Sequence, residues 1–169
     1  RDMLVSAESL PKYISGAILF DETIRQNTAQ GLSFPDYLEQ IGIIPGIKVD
    51  AGAKSFSCHP NEKITEGLDN LPQRMEEYKS LGAKFAKWRA VITIGDDIPS
   101  TACMIANSHA LARYASICQE VDIVPIVEPE VLMDGPHNIQ ECFDVTNKMQ
   151  SILFEELDKL DISLSGIIL

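Results

Sequence analysis

The sequence has no CxxC pair, no GxGxxG turn, no GxxxxGK[ST] loop and no apolar run near 18 residues. The missing glycine loops count against a dinucleotide or P-loop fold. Without a long apolar run or a signal-like opening, nothing points to a membrane or to secretion. Positive charge is scarce: 14 Lys and Arg against 25 Asp and Glu leave a net −11, which disfavours nonspecific attraction to nucleic acid or anionic lipid. Histidines number three and cysteines four. Cys58-His59 is the one Cys/His neighbour pair and lacks partners at ligand spacing, so no metal site is expected. Cys103, Cys118 and Cys142 fall in helical patterns and read as small core hydrophobes of a reduced, cytoplasmic protein.

What is present is ordinary globular composition, 45% hydrophobic and 23% charged over 169 residues, near the usual size of one domain. The expected strands are Gly16–Phe20, Gly46–Val49, a strand around Lys87, Ile123–Val127 and Leu164–Leu169. The expected helices are Pro35–Ile41, Leu71–Leu81, Ser100–Glu120 and Asn138–Leu160, with a short helix or loop over 24–30. Residues 1–13 read as the tail of a helix. The stretch from about Ala51 to Glu62 reads as the longest irregular loop. Apolar strands alternating with helices indicate a parallel sheet covered by helices.

Three strands carry charges at i and i+2, which places each pair on one face. Lys48 and Asp50 form the first pair, Lys87 and Arg89 the second, and Glu128 and Glu130 the third. All lie near the C-terminal ends of their strands, which points to a (β/α)8 barrel. Such barrels run to about 250 residues, so about five strands here make a part of one. Phe85, Lys87 and Arg89 share a face; Ala86, Trp88 and Ala90 share the other, with Trp88 turned toward a helix. Arginine can fork onto a phosphate and lysine can act as a point charge. A crowded, desolvated lysine can serve as a base or an imine-forming nucleophile, with a carboxylate moving protons. That set suits Schiff-base chemistry on a phosphorylated ketone or aldehyde. The same spacing also fits a salt-bridged interior in which Asp50, Glu128 or Glu130 neutralises each cation. His109 and Arg113, four apart, read as a surface or interface face.

With these residues in view the sequence resembles class I fructose-bisphosphate aldolases over essentially its whole length. The matching stretches are Gly16-Ala-Ile-Leu-Phe-Asp-Glu-Thr23, Gly46-Ile-Lys-Val-Asp50, Glu66-Gly-Leu-Asp69, Ala83-Lys-Phe-Ala-Lys-Trp-Arg89, Leu111-Ala-Arg-Tyr-Ala-Ser-Ile-Cys-Gln119 and Ile123-Val-Pro-Ile-Val-Glu-Pro-Glu-Val-Leu132. The resemblance implies that residues 1–169 are part of a single (β/α)8 barrel domain. It further implies a metal-independent lyase without a cofactor, a cytoplasmic homotetramer in glycolysis, and a phosphorylated sugar as substrate. Lys87 would polarise the substrate hydroxyl and the carbinolamine, Glu128 would shuttle protons, and Glu130 would hold the lysines in place. Lys48, Asp50 and Arg89 would be substrate-binding, Arg89 through a phosphate. The family's imine-forming lysine would stand directly after Leu169, where the sequence ends, which implies a longer parent chain. The alternatives are an inactive aldolase-like fragment with a binding or scaffold role, or another Schiff-base barrel such as a transaldolase. The Lys87-Trp-Arg89 and Glu128-Pro-Glu130 matches weigh against the latter.

Overall fold

A computed structural model describes residues 1–169. Four parallel strands form its sheet in simple sequence order: β1 (Gly16–Leu19), β2 (Ile44–Lys48), β5 (Phe85–Ile92) and β6 (Val124–Val131). Between β2 and β5 lie two three-residue strands, β3 (Ala53–Ser55) and β4 (Lys63–Thr65), paired as an antiparallel hairpin. The helices are α1 (Asp2–Val5), α2 (Asp21–Ile24), α3 (Phe34–Gln40), α4 (Leu71–Ser80), α5 (Thr101–Glu120) and α6 (Ile139–Lys159). Sequence-neighbouring parallel strands joined through helices are the arrangement of a (β/α) barrel arc.

The start and stop signals explain the helix limits. Ser33 and Ser100 accept hydrogen bonds from the backbone N–H groups of Asp36 and Cys103, and Asn138 forms a reciprocal capping box with Glu141. Each satisfies N–H groups that have no partner inside the helix. Period-2 alternation is complete along β5, where Ala86, Trp88, Ala90 and Ile92 are buried and Phe85, Lys87, Arg89 and Val91 are half-buried. Trp88 packs behind the sheet against Tyr114 of α5, with ring centroids 5.6 Å apart. Ile47, Val49, Leu71, Met75, Leu111, Leu153 and Leu157 complete the layer between sheet and helices. Cys118 is buried in it and Cys103 in a smaller cluster with Ile92, Met104 and Met149, and burial pushes their thiols up to about 12 and about 11. Both are packing groups, as expected; Cys142 instead is only half-buried.

Three expectations change. Within the stretch from Ala51 to Glu62, Ala53–Ser55 is strand β3, paired with β4 just beyond it, and only 56–62 is the irregular loop expected. The short polar strands of this hairpin carry no periodic signal and are held in part by a distant group, Asn107 of α5, which accepts from Thr65 N and donates to the Lys63 carbonyl. Residues 1–13 form two short turns, α1 and a 3-10 turn at Leu10–Lys12, not the tail of one helix. Of the short helix or loop expected over 24–30, the structure has the loop, and a short helix precedes it at Asp21–Ile24. Leu164–Gly166 is a 3-10 turn, and the fifth strand enters the sheet only at Ile168, which bridges Ile126 in parallel.

Gly67, in the loop after β4, fixes the approach of that loop to the end of β2. Its φ of +133° suits glycine, and a Cβ there would stand 2.8 Å from Ala51 N and 3.1 Å from Asp50 Cα. Both are backbone atoms that cannot swing aside. Gly67→Ala should therefore destabilise the protein by roughly 1–3 kcal/mol, read as a lower denaturant midpoint. An unchanged midpoint would mean that the loop is free to shift.

Candidate functional site

The concave face of the sheet is graded along its strands. At the N-terminal ends it is apolar: Ile18, Ile44, Phe85, Val124, Ile126 and Ile168 line a concavity of about 490 Å³. At the C-terminal ends it becomes charged. Lys48 and Lys87 are paired across β2 and β5, and Arg89 lies beside Glu128 across β5 and β6. Residues two apart share a face, so Lys48, Lys87, Arg89, Glu128 and Glu130 stand on this one concave surface. Every sequence-predicted site residue is thus brought to the same end of the same sheet.

Each cation has a carboxylate partner. Lys87 Nζ is 2.9 Å from Glu128 Oε2, and Lys48 Nζ donates to Asp50 Oδ1 at 2.5 Å. Arg89 donates through Nε to Glu130 Oε2. The ion-paired reading of the spacing is therefore the geometry observed. The pairs are not sealed off: Lys87 and Glu128 side chains keep 19% and 31% of their exposure, and Arg89 and Glu130 keep 41% and 36%. A ligand can reach all four. Exchanging one solvated carboxylate contact for another anion costs an arginine little.

Two details refine the expected roles. Glu130 reaches Arg89 rather than a lysine. Asp50 has a side chain only 3% exposed, and its oxygens are occupied: Oδ1 also accepts from Gly52 N at 3.0 Å, and Oδ2 from Arg89 N at 3.4 Å. Asp50 therefore contacts Lys48 and the Arg89 backbone. Arg74 of α4, which sequence reasoning missed, donates to the carbonyls of Val49 (2.6 Å) and Gly67 (3.1 Å) and lies over the Tyr78 ring. It clamps the end of β2 where Lys48 and Asp50 sit.

The hydrogen bond from Arg89 holds the Glu130 carboxyl below the ordinary glutamate range; partial burial opposes it, and the charges of Arg89 and Lys87 add to the lowering. A carboxyl lowered on folding stabilises the fold above its unfolded value, and that contribution is lost as pH falls through the lowered one. Carboxyl NMR should accordingly find Glu130 titrating below unpaired glutamates, and Arg89→Ala should move it upward. A Glu130 that titrates at the ordinary value in both proteins would refute the pairing.

His109 and Arg113 are not part of this surface. His109 Nδ1 is 2.9 Å from Glu156 Oε2, which also receives Lys159 through its other oxygen at 2.7 Å, so the cluster joins α5 to α6. No three His, Cys, Asp or Glu side chains converge in a way that would hold a metal ion.

A family profile described as fructose-bisphosphate aldolase class-I matches residues 1–169. The chain is 57% identical over 169 residues to a probable fructose-bisphosphate aldolase class 1 of Xanthomonas axonopodis pv. citri, covering all of this chain and 51% of that protein. It is 44% identical over 169 residues to the cytosolic fructose-bisphosphate aldolase 4 of Arabidopsis thaliana, covering 43% of that protein. Among solved structures, the Plasmodium falciparum fructose-bisphosphate aldolase, in complex with TRAP and a small-molecule inhibitor, superposes with a TM-score of 0.94. The two are 46% identical, and the match covers 98% of this chain and 48% of that one. The chain spans about half the length of the curated relatives it matches.

Proposed function

Because the chain belongs to the class-I fructose-bisphosphate aldolase family, with the architecture of a partial (β/α)8 barrel, we propose that it carries much of the active face of an enzyme cleaving fructose 1,6-bisphosphate. The reaction is reversible and yields dihydroxyacetone phosphate and glyceraldehyde 3-phosphate through a lysine Schiff base. The observation that carries this reading is the convergence of Lys48, Lys87, Arg89 and Glu128 at the C-terminal ends of three adjacent strands.

The chemistry follows from what those groups can do. A neutral lysine amine adds to the substrate carbonyl, and the carbinolamine then loses water to leave an iminium ion. Glu128 gives the proton that leaves with the water and takes the proton of the C4 hydroxyl as the C3–C4 bond breaks. The electron pair of that bond moves into the iminium as an enamine. Lys87, within hydrogen-bond reach of Glu128, polarises the hydroxyl and the carbinolamine. Arg89 takes a phosphate, Glu130 aims Arg89, and Lys48, held by Asp50, lies beside the substrate. The nucleophile is a lysine at the position after Leu169. The parallel bridge between Ile126 and Ile168 supports this, because a strand continuing in that register would bring that position beside Glu128.

In the same reading residues 1–169 belong to one barrel domain, and the complete enzyme is a glycolytic, cytoplasmic homotetramer that needs no metal or cofactor. No helix here is long and apolar enough to cross a membrane, and the Arabidopsis relative is named as cytosolic. The test is a cleavage assay on fructose 1,6-bisphosphate with the complete enzyme, with and without EDTA. Turnover should be the same in both, because the iminium supplies the electron sink. Activity lost to EDTA and restored by zinc would overturn the mechanism, and no cleavage at all would overturn the function.

A further inference from the structure

Arg89 sits where its strand has lost a neighbour. β2 pairs with β5 only as far as Lys48 and Lys87, and its last backbone bond to β5 runs from Val49 N to the Lys87 carbonyl at 3.1 Å. In a strand the N–H and C=O of one residue point to the same side and alternate residues point the same way. The backbone groups of Arg89 therefore face the side that β2 has left. Two side chains replace the missing strand. Asp50 Oδ2 accepts from Arg89 N, at a long 3.4 Å. Thr65, at the end of β4, donates its hydroxyl to the Arg89 carbonyl at a short 2.8 Å.

Thr65 is itself built in. It is buried, and its N–H donates to Asn107 Oδ1 at 3.1 Å. Asn107 is wholly buried on α5, and its amide nitrogen donates to the carbonyls of Lys63 (3.0 Å) and Cys103 (3.1 Å). The Asn107 amide is thus spent on fixing the end of β4, from which one hydroxyl reaches the backbone of the site arginine.

We propose that Thr65, seated on Asn107, is a positioning residue for Arg89 and sets how tightly the site holds a substrate phosphate. The proposal rests on Arg89 being a phosphate ligand. A threonine that served packing alone would tolerate valine, which has the same shape and lacks only the hydroxyl.

The experiment uses the complete enzyme carrying Thr65→Val, Thr65→Ser, Arg89→Ala or Thr65→Val with Arg89→Ala. The readouts are KM and kcat for fructose 1,6-bisphosphate and competitive inhibition by inorganic phosphate. Thr65→Val should weaken phosphate inhibition and raise KM by roughly tenfold, and should move KM more than kcat. Thr65→Ser should restore both, and Thr65→Val should add nothing once Arg89 is alanine. Wild-type constants in Thr65→Val, an equal loss in both backgrounds, no restoration by serine, or a Thr65→Val protein that does not fold would each overturn the inference. An Arg89→Ala enzyme with unchanged phosphate inhibition would overturn the phosphate role of Arg89 and the inference together. A weakened Arg89→Ala enzyme beside an unaffected Thr65→Val one would overturn the inference alone.

Discussion

Glu128→Gln in the complete enzyme is expected to lower kcat by roughly 10²–10⁴-fold, the usual contribution of a positioned acid–base group. Glutamine keeps the shape of the side chain and its place beside Arg89 on the neighbouring strand, but it cannot deliver or accept the protons of carbinolamine loss and C–C cleavage. The fold should tolerate the change. Glu128 keeps 31% of its side-chain exposure and Lys87 keeps 19%, so water can take over the solvation of Lys87 when the charge partner goes. The decisive comparison is with Glu130→Gln, whose carboxylate serves Arg89 and whose loss should show mainly in phosphate affinity. If Glu128→Gln turns over within about threefold of the parent, well short of what a lost acid–base group costs, another group moves the protons. A cooperative melt at the parental temperature must accompany the low kcat; an unfolded variant would make Glu128 a structural partner of Lys87.

The strands were legible because their physics is local. Alternation along 85–92 announces itself: a strand with Trp88 on one face and Lys87 and Arg89 on the other can settle in only one orientation. The strand-end charges were legible for the same reason, since an i, i+2 pair shares a face whatever lies around it. Their pairing was not, because spacing names two or three possible partners for each cation and only the register between strands selects one. Lys87 met Glu128, and Arg89 met Glu130. The β3–β4 hairpin was hidden for a different reason. Ala53–Ser55 and Lys63–Thr65 are too short and too polar to show a period, and Asn107 of α5 supplies part of their fixing. Thr65 and Arg74 escaped notice because both act on backbone carbonyls. Nothing in a sequence marks a carbonyl as unpaired until it is known where the neighbouring strand departs.

Borohydride reduction of the complete enzyme with dihydroxyacetone phosphate is expected to place the adduct on a lysine at the position after Leu169 and none on Lys87. Lys87 is the tempting alternative, since it is the least exposed lysine among the charged strand ends and stands next to Arg89. Geometry separates the two. Lys87 Nζ is engaged with Glu128 at 2.9 Å; under the proposed mechanism the proton shuttle and the polarising lysine thus stand together, and the nucleophile would approach them from outside the pair. Ile168 donates its N–H to the Pro125 carbonyl at 3.0 Å and accepts from Val127 N at 2.8 Å, which lays this segment parallel to β6. With Ile168 opposite Ile126, a strand continuing in that register would set the position after Leu169 opposite Glu128, on the same concave face. Its amine would then share a pocket with the Lys87 cation, whose repulsion favours the neutral, nucleophilic form. Peptide mapping after reduction distinguishes the two sites. An adduct on Lys87 would reverse their roles and would leave Glu128 without its proposed partner in catalysis.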